Sequence, residues 1–322
     1  MIPGAIILLY HRVTTLDRDP QLLCVSPANF ESQIQWISDR YRVAPLAEIG
    51  RALAEGRPLE NVVSITFDDG YADNLHQAAP ILRQYDCPAT VFATTAHTDS
   101  CDEFFWDDLD RIFLSPGKLP HKLEAQNIDL GESATYDGRH SNWNVLDESD
   151  PTPRHEVYRR LTSLLHQSTI AVRSELLNQL QTWAEAPRRQ SHRMMSSDEL
   201  RKLSNDDLVT IGGHTVDHCR LSAESLDVQQ SQIQLNRRQL RSPAAFSYPF
   251  GTRHDYTADT VRLVQLAGYE LACANFGGIV TTASDRYRLP RRIVRDWSLD
   301  QFAAEFDRWI TPLRDPALTN QR

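Results

Sequence analysis

Six short apolar, β-prone runs punctuate the chain: Ala5–Tyr10, Val62–Phe67, Ala89–Ala93, Leu208–Ile211, Ala244–Tyr248 and Glu270–Ala274. They are continuous rather than strictly alternating, and a strand wetted on one face would alternate at period two. The runs therefore predict strands covered on both faces, as in a parallel sheet or barrel. Helical spacing follows several of them. Pro27–Tyr41 places Phe30, Ile34 and Ile37 on one face, and Ser196–Leu203 opens with Ser196 and Glu199 at capping-box spacing. Asp73–Tyr85 and Ala258–Ala267 are further helix candidates, each close enough behind a strand-like run to make a βα unit.

Residues 97–195 break this rhythm. The stretch starts aromatic and acidic (Phe104, Phe105, Trp106, Asp107, Asp108), passes through polar loops, and then carries a long helical pattern around Glu156–Trp183. Compact domains rarely hold so long a structureless loop, so this insertion is expected to contain its own helices and could act as a lid or touch substrate. The expectation is an α/β protein with a single domain over residues 1–322 and a helical insertion at 97–195.

Charge narrows the classes. With 43 acidic against 34 basic residues the formal net charge is −9, which argues against a general nucleic-acid or anionic-membrane binder. A local basic patch remains open around Arg286, Arg288, Arg291, Arg292 and Arg295. The five cysteines are scattered, with no Cys-x-x-Cys pair, so neither a disulfide framework nor a thiolate zinc site is suggested. The apolar run Ala5–Tyr10 has no basic region before it and is too short to span a bilayer. It reads as the buried first strand of a cytoplasmic protein without a transmembrane segment.

Two segments carry the chemistry. Thr66-Phe67-Asp68-Asp69-Gly70 puts two carboxylates just past a strand-like run, where βα folds place their active sites. Neighbouring carboxylates there can point apart, one to bind a cation and the other to act as a base. His214-Thr215-Val216-Asp217-His218 supplies two imidazoles four residues apart, a spacing that would bring them to one side of a helical turn. Two histidines and one aspartate make a three-ligand site with room left for water, the pattern of catalytic zinc. A metal in such a site lowers the pKa of water and polarises a carbonyl, so that an amide or ester becomes attackable near neutral pH.

Together these segments resemble the first and second motifs of the NodB-like polysaccharide deacetylases of carbohydrate esterase family four. The resemblance covers about residues 1–96 and 196–310 and implies a distorted (β/α) barrel of about seven strands with a groove across the top. It implies that Asp68 is the catalytic base and that Asp69, His214 and His218 hold a divalent metal, usually Zn2+, sometimes Co2+ or Ni2+. Phe246-Ser247-Tyr248-Pro249-Phe250-Gly251 resembles the third motif, a groove wall that would make Tyr248, Pro249, Phe250 and Gly251 substrate-binding, with the Phe250 N–H helping to hold an oxyanion. Ser247 stands where many members have an arginine that orients the base, and Arg291 is a candidate substitute within the substrate-binding set.

Many members place a general-acid histidine in a Leu-x-His motif near the C-terminus, yet no histidine follows His254 here. Leu8-Leu9-Tyr10-His11 offers that pattern at the N-terminus and is similar to circularly permuted, exopolysaccharide-associated members. His11 would then protonate the leaving amine. The resemblance implies a metal-dependent deacetylase acting on the N-acetyl amide of a sugar in a polysaccharide, oligosaccharide or carrier-linked precursor, in association with polysaccharide-synthesis machinery. Two alternatives stay open: an amidohydrolase or deformylase for another small C–N substrate, and a non-catalytic carbohydrate-binding protein of the same fold.

Overall fold

The structure, a computed structural model, describes residues 2–311. It divides into two compact units. One comprises the chain up to Thr15, Leu23–Asp99 and the chain from Met195 on; the other comprises Leu16–Leu22 and Ser100–Met194.

The first unit is built on seven parallel strands: β1 (Ala5–Tyr10), β2 (Val62–Phe67), β3 (Ala89–Ala93), β4 (Val209–Gly213), β5 (Ala245–Ser247), β6 (Leu271–Cys273) and β7 (Arg292–Ile293). Their spatial order is β6-β5-β4-β3-β2-β1-β7, and Arg42–Val43 pairs with the start of β2. The segment running into β7 touches both ends of the curled sheet. Leu289 exchanges backbone hydrogen bonds with Ala272 and Ala274 beside β6, and Arg292 and Ile293 pair with Leu8 and Leu9 of β1. A distorted (β/α) barrel results, with the N-terminal strand lying between β2 and β7.

Every residue of β1, β2 and β3 is buried, which explains the unbroken apolar runs. Along β1, Ile6, Leu8 and Tyr10 pack outward in a core with Phe30, Ile34, Phe302 and Phe306, whereas Ala5 and Ile7 face a second core with Ile49, Phe92 and Leu271. Burying such a side chain stabilises the fold by about 1.5–3 kcal/mol. Polar substitution on either face of β1 therefore costs the barrel directly.

Helices follow in chain order as α1 (Pro27–Ser38), α2 (Leu46–Ala54), α3 (Ala79–Gln84), α4 (Phe105–Leu109), α5 (Pro153–Gln167), α6 (Ile170–Ala184), α7 (Ser197–Ser204), α8 (Leu226–Gln239), α9 (Ala258–Leu266) and α10 (Leu299–Ile310). The capping box of α7 forms as its sequence predicts, with Ser196 and Glu199 each bonded to the other's backbone N–H. Two helix expectations need revision. The helix expected over Asp73–Tyr85 begins as a wide turn at Asn74–Ala78 before α3. The pattern at Glu156–Trp183 is two helices, α5 and α6: Ser168 adopts extended backbone, and Thr169 caps α6 by accepting from Val172 N–H. A side chain that can replace a lost helical hydrogen bond makes the break inexpensive.

The second unit has its own buried residues, including Leu109, Phe113, Tyr158, Leu161, Leu165 and Leu180. Arg154 is buried in it and donates to the carbonyls of Phe113, Ser115, Gly117, Ser133 and Ala134. One guanidinium thus ties together several loop carbonyls that would otherwise lack donors. No helix among the described residues is long and apolar enough to cross a membrane.

Candidate active site

Strand register brings the motif residues to one level. Tyr10 pairs with Phe67, Gly213 pairs with both Ala93 and Phe246, and Ser247 pairs with Cys273. The residues just beyond these rungs, His11, Asp68 and His214, therefore leave the carboxyl ends of their strands side by side with Ser247, as expected of a βα barrel. The Asp68 N–H still donates to Tyr10 O at 3.0 Å, forming the last rung between β1 and β2.

Past that rung the backbone turns sharply. Asp69 has φ of 76° and Gly70 φ of 84°. An added Cβ on Gly70 would sit 3.0 Å from the Ala93 Cβ, so glycine meets both the conformation and the close approach. Thr94 fixes the bend, with its N–H and its hydroxyl both 3.2 Å from Asp69 O. The turn sends the two carboxylates to different partners.

Asp68 faces Arg291. The guanidinium forks onto it, Nη1 to Oδ1 and Nη2 to Oδ2, both at 2.7 Å. The remaining donors reach Ala274 O (2.9 Å), Thr66 Oγ1 (3.4 Å) and Ser247 Oγ (2.8 Å). The Ser247 hydroxyl in turn donates to Asp68 Oδ2 at 3.1 Å. Ser247 is thus a short bridge between the Asp68 carboxylate and an arginine arriving from the opposite end of the sheet. Burial pushes the Asp68 carboxyl up, but the Arg291 charge and hydrogen bonds outweigh it and hold the group below the ordinary carboxylate range. Burial likewise disfavours the Arg291 cation, and Asp68 more than restores it.

Asp69 faces the histidines. Its Oδ1 lies 3.5 Å from His214 Nε2 and 3.2 Å from His218 Nε2, and one ligand atom from each of the three residues falls within 4.8 Å of the others. All three are at most 3% exposed. Asp69 Oδ1 and His214 Nε2 are buried without a hydrogen-bond partner, a costly arrangement unless a further group engages them. His214 Nδ1 lies 2.8 Å from Ser247 O. A carbonyl only accepts, so Nδ1 carries the proton and the Nε2 lone pair is turned toward Asp69. Two imidazoles, one carboxylate and orphaned ligand atoms fit a divalent cation.

The His214–His218 segment is not the helical turn its spacing suggests. Thr215 and His218 have φ of 64° and 47°, and no helix forms there. Side chains of α8 replace the helical hydrogen bonds. Asn236 Oδ1 accepts from His214 N–H at 3.0 Å, and Gln232 Oε1 accepts from Val216 and Asp217 N–H at 3.0 and 2.9 Å. Asn236 Nδ2 also donates to Ala93 O at 3.1 Å, joining the loop to β3. This close approach needs Gly213, where a Cβ would meet Asn236 Oδ1 at 2.8 Å and the Tyr269 hydroxyl at 2.1 Å. Gln232 and Asn236 are site-forming residues that the sequence reading missed. Their sole signal was a pair of amides one helical turn apart.

The third segment divides. Phe250 has φ of 59°, its ring stands 4.6 Å from that of His218, and Asn275 holds the bend by donating from Nδ2 to Phe250 O at 3.0 Å and from its backbone N–H to Gly251 O at 2.7 Å. Tyr248, expected to contact substrate, is fully buried, donates its hydroxyl to Tyr287 O at 2.9 Å and stacks on Tyr256. Its side chain is committed to the wall. Pro249 is also buried. Arg291, placed with them in the expected substrate-binding set, has all its donors turned to Asp68 and its surroundings, because an unpaired guanidinium could not stay buried there.

His11 follows β1 part-exposed, and Asn74 Nδ2 donates to its carbonyl at 2.8 Å. Burial lowers its pKa, while Asp69 and Asp68 pull it upward, so the imidazole lies within electrostatic reach of both carboxylates.

The sequence profile of the polysaccharide deacetylases matches residues 55–119 and 150–272, more than half of the chain. The chain belongs to the polysaccharide deacetylase family. Among curated proteins, this deacetylase-family chain is 36% identical to YxkH of Bacillus subtilis over 88 residues, 27% of this chain and 30% of that protein. It is 22% identical to the poly-beta-1,6-N-acetyl-D-glucosamine N-deacetylase of Staphylococcus epidermidis over 317 residues, 94% of this chain and 83% of that one. The match thus spans less than a third of YxkH but most of the staphylococcal protein. In fold, IcaB from Ammonifex degensii aligns with a TM-score of 0.57 at 16% identity, covering 94% of this chain and 96% of that one.

Proposed function

We propose that this family member is a metal-dependent hydrolase that removes the acetyl group from an N-acetylated sugar of a polysaccharide or glycan precursor, as part of surface-polysaccharide synthesis. The observation that carries the reading is the division of labour between adjacent carboxylates: Asp68 locked to Arg291, and Asp69 turned to two histidines with its buried Oδ1 unsatisfied. The staphylococcal relative, named for deacetylating an N-acetylglucosamine polymer, supports the substrate class.

Asp69, His214 and His218 would hold the divalent metal, Zn2+ by the chemistry of the donor set, with Co2+ or Ni2+ as substitutes. When bound, that ion supplies a Lewis acid for the carbonyl and a lowered pKa for water. Asp68, kept ionised by Arg291, takes the proton of the attacking water as its oxygen adds to the amide carbon. The fork fixes the carboxylate plane, and the Ser247 hydroxyl steadies one oxygen. The backbone N–H at Phe250 stabilises the carbonyl oxygen as it becomes anionic. When the C–N bond breaks, His11 gives a proton to the departing amine, and acetate is left.

The test is acetate release from a panel of N-acetylated mono-, oligo- and carrier-linked sugars, run alongside metal analysis. Asp69→Ala should lose bound metal and acetate release together; full activity in metal-free Asp69→Ala protein would refute the reading. Formate release from the N-formylated counterparts, with no acetate from the acetylated panel, would redirect it to a deformylase.

A further inference from the structure

The basic stretch between Arg286 and Arg295 is only partly absorbed by the site. Arg291 serves Asp68, but Arg288 lines a separate cavity of about 540 Å3 together with Arg253, Tyr256 and Phe276. That cavity adjoins the site along the chain. Arg253 is three residues beyond Phe250, so their Cα atoms are at most about 11 Å apart. Phe276 follows Asn275, which pins Phe250 and Gly251, and the Phe276 carbonyl accepts from Arg291 N–H at 3.0 Å.

We infer that this cavity is an anion subsite, which binds a phosphate or carboxylate carried by the substrate near the reacting N-acetyl group. Charge is the first argument. Arg253 lies over the Phe276 ring, 5.1 Å from its centroid, and has no carboxylate partner among the described residues. Arg288 pairs with Asp285 through one contact of 3.2 Å at a half-exposed position, which leaves most of its fork available. The other nearby acid, Asp255, is buried and neutralised by Arg220 at 3.1 Å. Two guanidiniums therefore face one carboxylate in a chain whose net charge is −9.

Shape is the second argument. Tyr256 is stacked on Tyr248 at 4.1 Å and Phe276 lies under Arg253, so aromatic rings floor the cavity beneath its cationic heads. An oxyanion on a sugar presents oxygens for the guanidiniums and an apolar ring face for the aromatics. The inference rests on the hydrolytic reading for its substrate, but not for the binding of the anion itself.

Two measurements test it. In the first, acetate release is compared for a neutral N-acetylglucosamine oligomer, the same oligomer bearing a phosphate monoester, and one with a uronate as the neighbouring sugar. The wild type should prefer one of the anionic substrates, which identifies the source of the charge, and the preference should shrink with added salt. In Arg253→Gln/Arg288→Gln protein the anionic-to-neutral ratio of kcat/KM should fall about tenfold, the loss of one charge-assisted contact. In the second, inorganic phosphate is titrated by NMR into Asp69→Ala protein and into metal-stripped wild type, which keeps the anion off the metal ligands. Binding should vanish when the two arginines are replaced. A ratio unmoved by the double substitution, together with phosphate binding that does not depend on the arginines, overturns the subsite. Arginine-dependent binding with no acetate release from any sugar upholds the subsite and overturns the hydrolytic reading instead.

Discussion

Buried charge dominates at the residue scale. The Asp68–Arg291 pair has five guanidinium contacts and almost no exposure, so removing one partner strands the other in a low dielectric. Arg291→Ala should cost about 3–5 kcal/mol of stability, read by urea denaturation, and should lower kcat more than it raises KM. Arg291→Lys should recover part of the stability but little of kcat, since an ammonium cannot fork. The pH profile follows from the same environment. Asp68 is depressed below its unfolded value, so its contribution to stability is present above the ordinary carboxylate range and is lost as pH falls through the depressed folded pKa. Its basic form persists throughout the neutral range. His11 is lowered by burial, so as an acid it loses its proton below the ordinary histidine value of about 6.5. A bell-shaped kcat/KM profile is expected, with the acid limb from Asp68 and the alkaline limb from His11. An alkaline limb that survives unchanged in His11→Gln protein would remove His11 from the mechanism.

Among the elements, α8 does work no motif records. Its amides at Gln232 and Asn236 take over the hydrogen bonds that a helical His214–His218 turn would have made for itself, and they allow left-handed backbone at Thr215 and His218. Such outer contacts typically tune metal affinity by 10–100-fold. Asn236→Leu should weaken metal binding by about that factor, read by competition with a fluorescent chelator, while far-UV circular dichroism stays unchanged. Gly213→Ala should be worse, because its Cβ has the Tyr269 hydroxyl in the way. Six of the seven barrel strands were readable from their apolar runs, and α7 from its capping box, because both depend on local spacing and burial; β7 has no such run. The loop at His214 was misread as helical because i,i+4 spacing says nothing about which partners satisfy its N–H groups. The same limit hid the break at Ser168, where the apolar pattern continues but the hydrogen bonds do not.

For the whole molecule, the barrel unit ties together the two stretches of its own chain that flank the insertion. Asp99 and Ser197 are hydrogen-bonded through the Ser197 N–H at 2.8 Å and through its hydroxyl, so the chain leaves and returns at one place. Replacing residues 101–194 with a short Gly-Ser linker should leave a folded α/β unit that still binds metal, measured by circular dichroism and metal titration. Loss of cooperative unfolding would show that the barrel unit depends on the insertion. What the sequence determined by itself was local: where six of the barrel strands run, where one helix is capped, and that carboxylate and imidazole pairs sit just past strand ends. Residue type, spacing and burial pattern carry that information along the chain. Tertiary structure alone decided the partnerships: that β1 lies between β2 and β7, that Arg291 reaches Asp68 across 223 positions, that Tyr248 turns inward, and that α8 shapes the histidine loop. Such contacts depend on which strand ends the barrel sets side by side, and parallel register fixes that through hydrogen bonds between segments far apart in sequence.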